Sequence, residues 1–316
     1  MKTGLFYDPV FLSHDTGGHP ENSGRLSAIM EALRTGGLLE RLQAKTPRQA
    51  VMEELAPIHD PGYVRRVEEA ALSGRPYLDT PDCVISEETY RVALHAAGAM
   101  IDAVTQVASG SLDNAFLACR PPGHHAEHDR AMGFCYFNNI ALGAQWLTTR
   151  LGYERILIFD FDVHHGNGTQ HSFEERKDVF FCSIHQNPMT LFPGTGFPEE
   201  RGRGEGRGYT VNVAMNPHSG DDDYEMVFRQ QLLPMFREYK PEFVLISAGF
   251  DGHQDDPLAS MNLTVKGYDA MIREMKRLAG ECCAGKLVST LEGGYNYRSL
   301  SECVSSHLEI LQDDAF

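Results

Sequence analysis

The chain has 316 residues, 42% of them hydrophobic, which is enough for one large domain or two ordinary ones with a sizeable core. Its formal net charge of −16 argues against a nucleic-acid binder, which needs a basic footprint; it fits a cationic substrate or partner, with plain solubility the simpler and preferred explanation. No stretch approaches the roughly 18 apolar residues of a membrane span, the N-terminal MKTGLFYDPV lacks the apolar core of a signal peptide, and seven scattered cysteines without a CxxC pair read as reduced thiols, so the expected setting is cytoplasmic, with neither membrane nor nucleic acid as a partner.

Apolar, β-branched runs read as buried strands, and helical patterns lie between them. TGLFYD near residue 5 is the first strand, followed by a helix over 86–108 and the strand NAFLACR. A helix over 138–151 leads to RILIFDF and then VFFCSIH. The segment 192–209, FPGTGFPEERGRGEGRGY, reads as a long loop, and a loop of that length inside a domain is often functional. YTVNVAM, a helix over 221–238, FVLISAGF, a helix over 265–278, KLVSTLEGG and a helix over 298–311 complete the chain. Such alternation implies an α/β fold with a largely parallel sheet covered on both faces, and the simplest organisation is one domain over residues 1–316.

The unusual residues fall at strand ends. His124 and His125 follow NAFLACR; Asp160, Asp162 and His164 end RILIFDF; Asp251 ends FVLISAGF; Tyr295 follows KLVSTLEGG. The carboxyl ends of strands in an open parallel sheet form the crevice where ligands bind, so a shared site is expected there. Asp160, Asp162 and His164 stand at i, i+2 and i+4 and so face one side of an extended chain. A buried carboxylate must be paired or bind a metal. A Mg²⁺ or Ca²⁺ site or a salt-bridged strand end would account for the aspartates, but the imidazole favours a transition metal, and with Asp251 an Asp₂His set leaves open positions on zinc. The first histidine pair reads as proton-transfer groups, with Asp160 and Asn167 as candidate acceptors for their other ring nitrogens. Tyr295, after two glycines, is either an oxyanion donor or an ordinary half-buried tyrosine.

The set RPPGHHA, GFCYFNN, DFDVHHGNGTQ, FPGTG, SAGFDGHQDDPL and LEGGYN resembles the zinc-dependent histone deacetylases, a family that includes acetylpolyamine amidohydrolases and acetoin-utilisation proteins. HHGNG, AGFD and LEGGYN are similar to its class II branch and bacterial relatives. The resemblance runs from HPENSGRL at His19 to the last strand. It implies the arginase/deacetylase fold, a three-layer α/β/α sandwich with a sheet of about eight strands. It implies one Zn²⁺ per chain on Asp162, His164 and Asp251, His125 as general base and then acid, His124 as its electrostatic partner on Asp160, Tyr295 as oxyanion donor, and His165 as support behind the metal ligands. Phe134 and Phe192, with Gly133 beside them, resemble the walls of an acyl-lysine tunnel. A structural monovalent cation such as K⁺ is implied near Asp160, Asp162, His164 and Ser183, and a second at Phe173, Val179 and Tyr209.

The implied activity is removal of acyl groups, acetyl above all, from lysine side chains in a peptide or protein. An acetylated polyamine is the alternative substrate. Leu258 bears on that choice: a polyamine-selective vertebrate relative resembles a glutamate there, able to pair with a distal ammonium, whereas leucine offers only apolar contact. Two departures stand out, Ser23 where relatives often have proline and Gly252 where alanine or serine is commoner; neither removes a reactive group. A binuclear ureohydrolase of the same fold would need a DAHxD pattern where this chain has DVHHG. A non-catalytic acyl-lysine-binding protein would be favoured by loss of the tyrosine or the first histidine pair, and both are present. Oligomeric state is left open by the sequence.

Overall fold

The architecture is that of a computed structural model, which describes residues 1–314. Eight strands form one all-parallel sheet: β1 (Thr3–Phe6), β2 (Gln43–Lys45), β3 (Asn114–Leu117), β4 (Ile156–Asp160), β5 (Val179–Gln186), β6 (Thr210–Met215), β7 (Phe243–Ala248) and β8 (Leu287–Leu291). Their spatial order is β2-β1-β3-β8-β7-β4-β5-β6, with every neighbouring pair parallel. The central strands are buried along their whole length, as strands covered on both faces must be.

The helices are α1 (Gly24–Thr35), α2 (Met52–Leu55), α3 (Pro61–Leu72), α4 (Thr89–Ala108), α5 (Asn139–Thr149), α6 (Asn167–Phe173), α7 (Asp221–Val227), α8 (Leu233–Tyr239), α9 (Val265–Cys283) and α10 (Tyr297–Gln312). One layer is built on α4 and α5, packed on β3, β8, β4 and β7; the other on α9 and α10, with α1 lying along α10. This is the α/β/α sandwich expected. No helix among the described residues is long and apolar enough to cross a membrane.

Several helix starts are set by side chains at the carboxyl end of the sheet. Asn138 accepts from the Ala141 amide to open α5, and Asn296 accepts from Arg298 and Ser299 to open α10 directly after the Tyr295 loop. The structure differs from the sequence expectation in three places. α1, α2 and α3 lie between the first strand and residue 86, where the sequence reading named no helix. β2, with the residues Gln-Ala-Lys, is a short edge strand whose composition carries no strand signal. The single helix expected over 221–238 is two, α7 and α8, joined by a π-turn over Phe228–Leu232. Pro234 explains the break: it lacks an amide hydrogen, and its ring would clash with the Gln230 carbonyl in a regular helix.

Candidate active site

β3, β8, β7 and β4 are neighbours in the sheet, so their carboxyl ends meet at one place. Beyond Asp160 the chain leaves the strand and bends at Asp162, Val163 and His164, so the extended i, i+2, i+4 alternation expected from the sequence does not carry through. The bend is held instead by the aspartates themselves, Asp160 accepting from the Asp162 amide at 3.1 Å and Asp162 from the His164 amide at 2.9 Å, with Phe161 and Val163 buried in the core. Nδ1 of His164 lies 3.1 Å from Asp162 Oδ1 and 3.1 Å from Asp251 Oδ2. The three donor atoms fall within 4.8 Å of one another. Backbone amides hold the carboxylates: Gly293 donates to Asp162 at 2.8 Å, and Val163 donates to Asp251 at 3.0 Å. The approach is close enough to demand glycine, since a Cβ on Gly293 would sit 2.0 Å from Asp251 Oδ2 and one on Gly249 2.0 Å from Asp162 Oδ2. Burial lowers the His164 pKa, but hydrogen bonds to both aspartates outweigh it and raise it to about 10. Two buried carboxylates against one imidazole make a donor set that a divalent cation fits, with positions to spare.

The first histidine pair divides its partners. His124 Nδ1 lies 3.0 Å from Asp160 Oδ2, and His125 Nδ1 lies 2.7 Å from Asn167 Oδ1. The two rings are 3.9 Å apart, yet their environments push them in opposite directions. For His124, burial favours the neutral ring, but the charges of Asp160 and Asp162 and the bond to Asp160 prevail and raise its pKa to about 10. For His125, burial and the neighbouring His124 and His164 act together and push it well below its usual 6.5. His124 therefore carries the charge, and His125 is a neutral ring with a lone pair to offer. Opposed shifts in adjacent titratable groups mark out acid–base roles.

Tyr295 closes the other side. Burial, only partly offset by Arg25, pushes its phenol well above 10, so the hydroxyl keeps its proton and can donate. Its backbone amide donates to Asp256 at 2.6 Å, and the Arg25 guanidinium lies 4.9 Å from the ring centre. Tyr295, His124, His125, His164 and Gly293 border a cavity of about 380 Å³, lined also by Gly133, Phe134, Leu191, Phe192, Leu258 and Asp82. Phe134 meets Tyr295 edge-on at 5.8 Å and Phe192 meets His125 at 5.1 Å. Gly133 has φ +56°, and a Cβ there would lie 2.3 Å from the His125 ring.

Other residues read from the sequence are placed elsewhere. Ser183 pairs with Asp160 in the β4–β5 register, and its hydroxyl meets His185 at 2.8 Å. Phe173 and Val179 lie at the end of α6 and the start of β5, with Tyr209 accepting from the Phe181 amide, away from the Asp₂His cluster. His165 bonds to neither aspartate of the Asp₂His cluster, contrary to the supporting role expected for it: Nδ1 meets Thr195 and Nε2 meets Gln170, both at 2.9 Å, so it anchors the loop that carries Phe192. Gly252 is buried, and a Cβ there would meet Tyr268 Oη at 3.1 Å, a tight fit for the alanine or serine commoner in relatives. Sequence reasoning missed Glu292, which accepts from the amides of Gly123 at 2.7 Å and His124 at 3.1 Å and so ties the β8 end to the histidine loop. An acid beside two glycines at a strand end was its only signal. It also missed Asp256, Asp82 and the buried Arg25, which donates to the carbonyls of Gly294 at 2.6 Å and Glu292 at 2.5 Å.

The histone deacetylase domain matches residues 19–311. The sequence is 43% identical over 300 residues to a probable deacetylase of Archaeoglobus fulgidus, covering 94% of this chain and 82% of that protein. It is 38% identical over 316 residues to histone deacetylase 14, chloroplastic, of Arabidopsis thaliana, covering 95% of this chain and 74% of the relative. The crystal structure of the HDA15 HD domain superposes with a TM-score of 0.93 at 37% identity, covering 99% of this chain and 89% of that one.

Proposed function

This chain belongs to the histone deacetylase family, and from that premise we propose that it is a zinc-dependent deacetylase acting on acetylated lysine in a peptide or protein. The observation that carries the reading is the convergence of His164, with Asp162 and Asp251 packed against it, His125 and Tyr295 on one mostly apolar cavity. Held by Asp162, His164 and Asp251, a zinc-class ion would polarise the amide carbonyl and acidify a water.

The chain's own residues do the rest. His125 takes a proton from the attacking water, with His124 beside it holding positive charge against Asp160. Tyr295 donates to the carbonyl oxygen as negative charge develops there. His125 then passes its proton to the leaving amine nitrogen, releasing acetate and free lysine. Phe134 and Phe192 flank an extended, apolar acyl-lysine stem, and Leu258 at the rim offers no charge to a distal ammonium. That last feature favours lysine over an acetylated polyamine. The acidity of the whole chain favours the polyamine, but distant exposed charges are largely screened beyond about 8 Å at physiological salt. A structural K⁺ beside Asp160 and Ser183 belongs to the same reading. So does a reducing compartment, the cytoplasm, which suits six buried thiols and one half-buried one.

The test is a turnover panel of acetyl-lysine peptides and acetylated polyamines on metal-loaded and chelated protein, with elemental analysis. Activity on acetyl-lysine that disappears with about one bound divalent ion per chain is expected. Full activity after exhaustive chelation would refute the metal, and exclusive turnover of acetylpolyamines would refute the substrate.

A further inference from the structure

Asn167 opens α6, and its carboxamide lies between two groups. Oδ1 is 2.7 Å from Nδ1 of His125, while Nδ2 donates to the Glu127 carboxylate and, more weakly, to the His125 carbonyl at 3.3 Å. The two ends of a carboxamide have nearly the same shape, so packing alone cannot decide which end faces the histidine. Glu127 decides it. An ionised carboxylate only accepts, and a charge-assisted bond is about twice as strong as a neutral one. Nδ2 is thereby drawn to Glu127, and Oδ1 is left facing His125. Oδ1 can only accept as well, so Nδ1 of His125 must carry the ring proton. Nε2 is then the unprotonated nitrogen, on a ring that lines the cavity.

On its outer side Glu127 is held by His171, whose Nδ1 lies 3.0 and 2.9 Å from the two carboxylate oxygens. His171 stands four residues after Asn167 and so shares its side of α6, which lets one carboxylate bridge the pair. The bond to Glu127 also raises the His171 pKa, so the two charges support each other.

We propose that Glu127 is a positioning residue that fixes the tautomer of His125 through Asn167, with His171 securing the carboxylate from the surface. The tautomer is independent of the function proposed above; only its kinetic consequence rests on His125 being the proton-transfer group.

The experiment uses the full metal-loaded chain with ¹⁵N-labelled histidine, reading imidazole nitrogen shifts, with His125 assigned from its loss in His125→Ala. Wild type should show Nδ1–H at His125. Glu127→Leu should shift that population toward Nε2–H and lower kcat roughly ten- to a hundredfold, the usual cost of losing such an orienting partner, with KM changed less than about threefold. Glu127→Gln, which keeps an acceptor oxygen, should restore most of both. Glu127→Lys, whose ammonium can only donate, should draw Oδ1 of Asn167 to itself and turn Nδ2 toward the ring, favouring Nε2–H at His125; it carries the test if Glu127→Leu does not fold, and Nδ1–H unchanged in it would equally overturn the proposal. An Nε2–H signal in wild type, or Nδ1–H unchanged in Glu127→Leu, would overturn the proposal. A shifted tautomer with unchanged kcat would support the positioning role and refute instead the assignment of His125 to proton transfer.

Discussion

Tyr295→Phe deletes one hydroxyl from a ring whose other contacts stay in place. The Arg25 guanidinium 4.9 Å from the ring centre, the Phe134 edge at 5.8 Å and the backbone bond to Asp256 at 2.6 Å all spare the phenolic oxygen. Folding free energy should therefore change by no more than about 1 kcal/mol, the net worth of one hydrogen bond, and metal content should not change. In the proposed mechanism the hydroxyl matters when charge develops on the substrate oxygen. Losing one such donor costs roughly 10²–10³ in kcat, or about 2.7–4 kcal/mol, with KM changing less than about threefold because the loss is confined to the transition state. Steady-state kinetics on an acetyl-lysine peptide, alongside thermal unfolding and elemental analysis, would read all three quantities. The pH profile adds a check: burial holds the phenol well above 10, so wild-type kcat should show no alkaline loss from this group below pH 10. A variant whose kcat stays within about threefold of wild type, with metal bound, would remove Tyr295 from the chemistry.

Three further outcomes are expected. Leu258→Glu should raise kcat/KM for N8-acetylspermidine and lower it for acetyl-lysine peptides, each by roughly fivefold, the worth of a part-exposed ion pair; an unmoved ratio would show that the rim does not select. Gly133→Ala should cost roughly 1–2 kcal/mol for a side chain at φ +56° and should lower kcat by pushing the His125 ring, so a variant with native kcat and unfolding temperature would refute that crowding. Glu21, buried and bonded bidentately to Arg120 at 2.7 and 2.8 Å, contributes stability that depends on pH. Burial alone would raise its pKa, but Arg120 and Arg25 outweigh it and lower the value from 4.5 to about 2. Its stabilisation is therefore complete above pH 4.5 and is lost as pH falls to about 2, a contribution of about 3 kcal/mol at 1.36 per pKa unit. Denaturant titrations across that window should lack this limb in Glu21→Gln, which should also be less stable at neutral pH because two buried guanidinium groups lose their partner; an identical acid limb in both proteins would refute the assignment.

The alternation of apolar strands and helices, and with it the α/β class, is legible in the sequence because burial on both faces turns the central strands into continuous apolar runs. The placement of Asp162, His164, Asp251, His124, His125 and Tyr295 at strand ends is equally legible, since residue type and local position are properties of the chain itself. What tertiary structure alone decides is adjacency. β3, β4, β7 and β8 are scattered along the chain, and only the order β3-β8-β7-β4 brings their ends together. Adjacency also allots the partners: Asp160 and Asn167 were both open as acceptors, and the folded chain gives Asp160 to His124 and Asn167 to His125. The same holds for Glu292, Asp256 and Glu127, whose work is to accept from backbone amides or from a carboxamide supplied by a distant segment. Such a role needs no spacing and leaves no periodicity, because it is defined by which strand lies beside which. His165 shows the limit most directly: it neighbours His164 of the Asp₂His cluster in sequence, yet it turns to Thr195 and Gln170, because the chain bends at Asp162–His164 before α6 and sends the two rings to different neighbours.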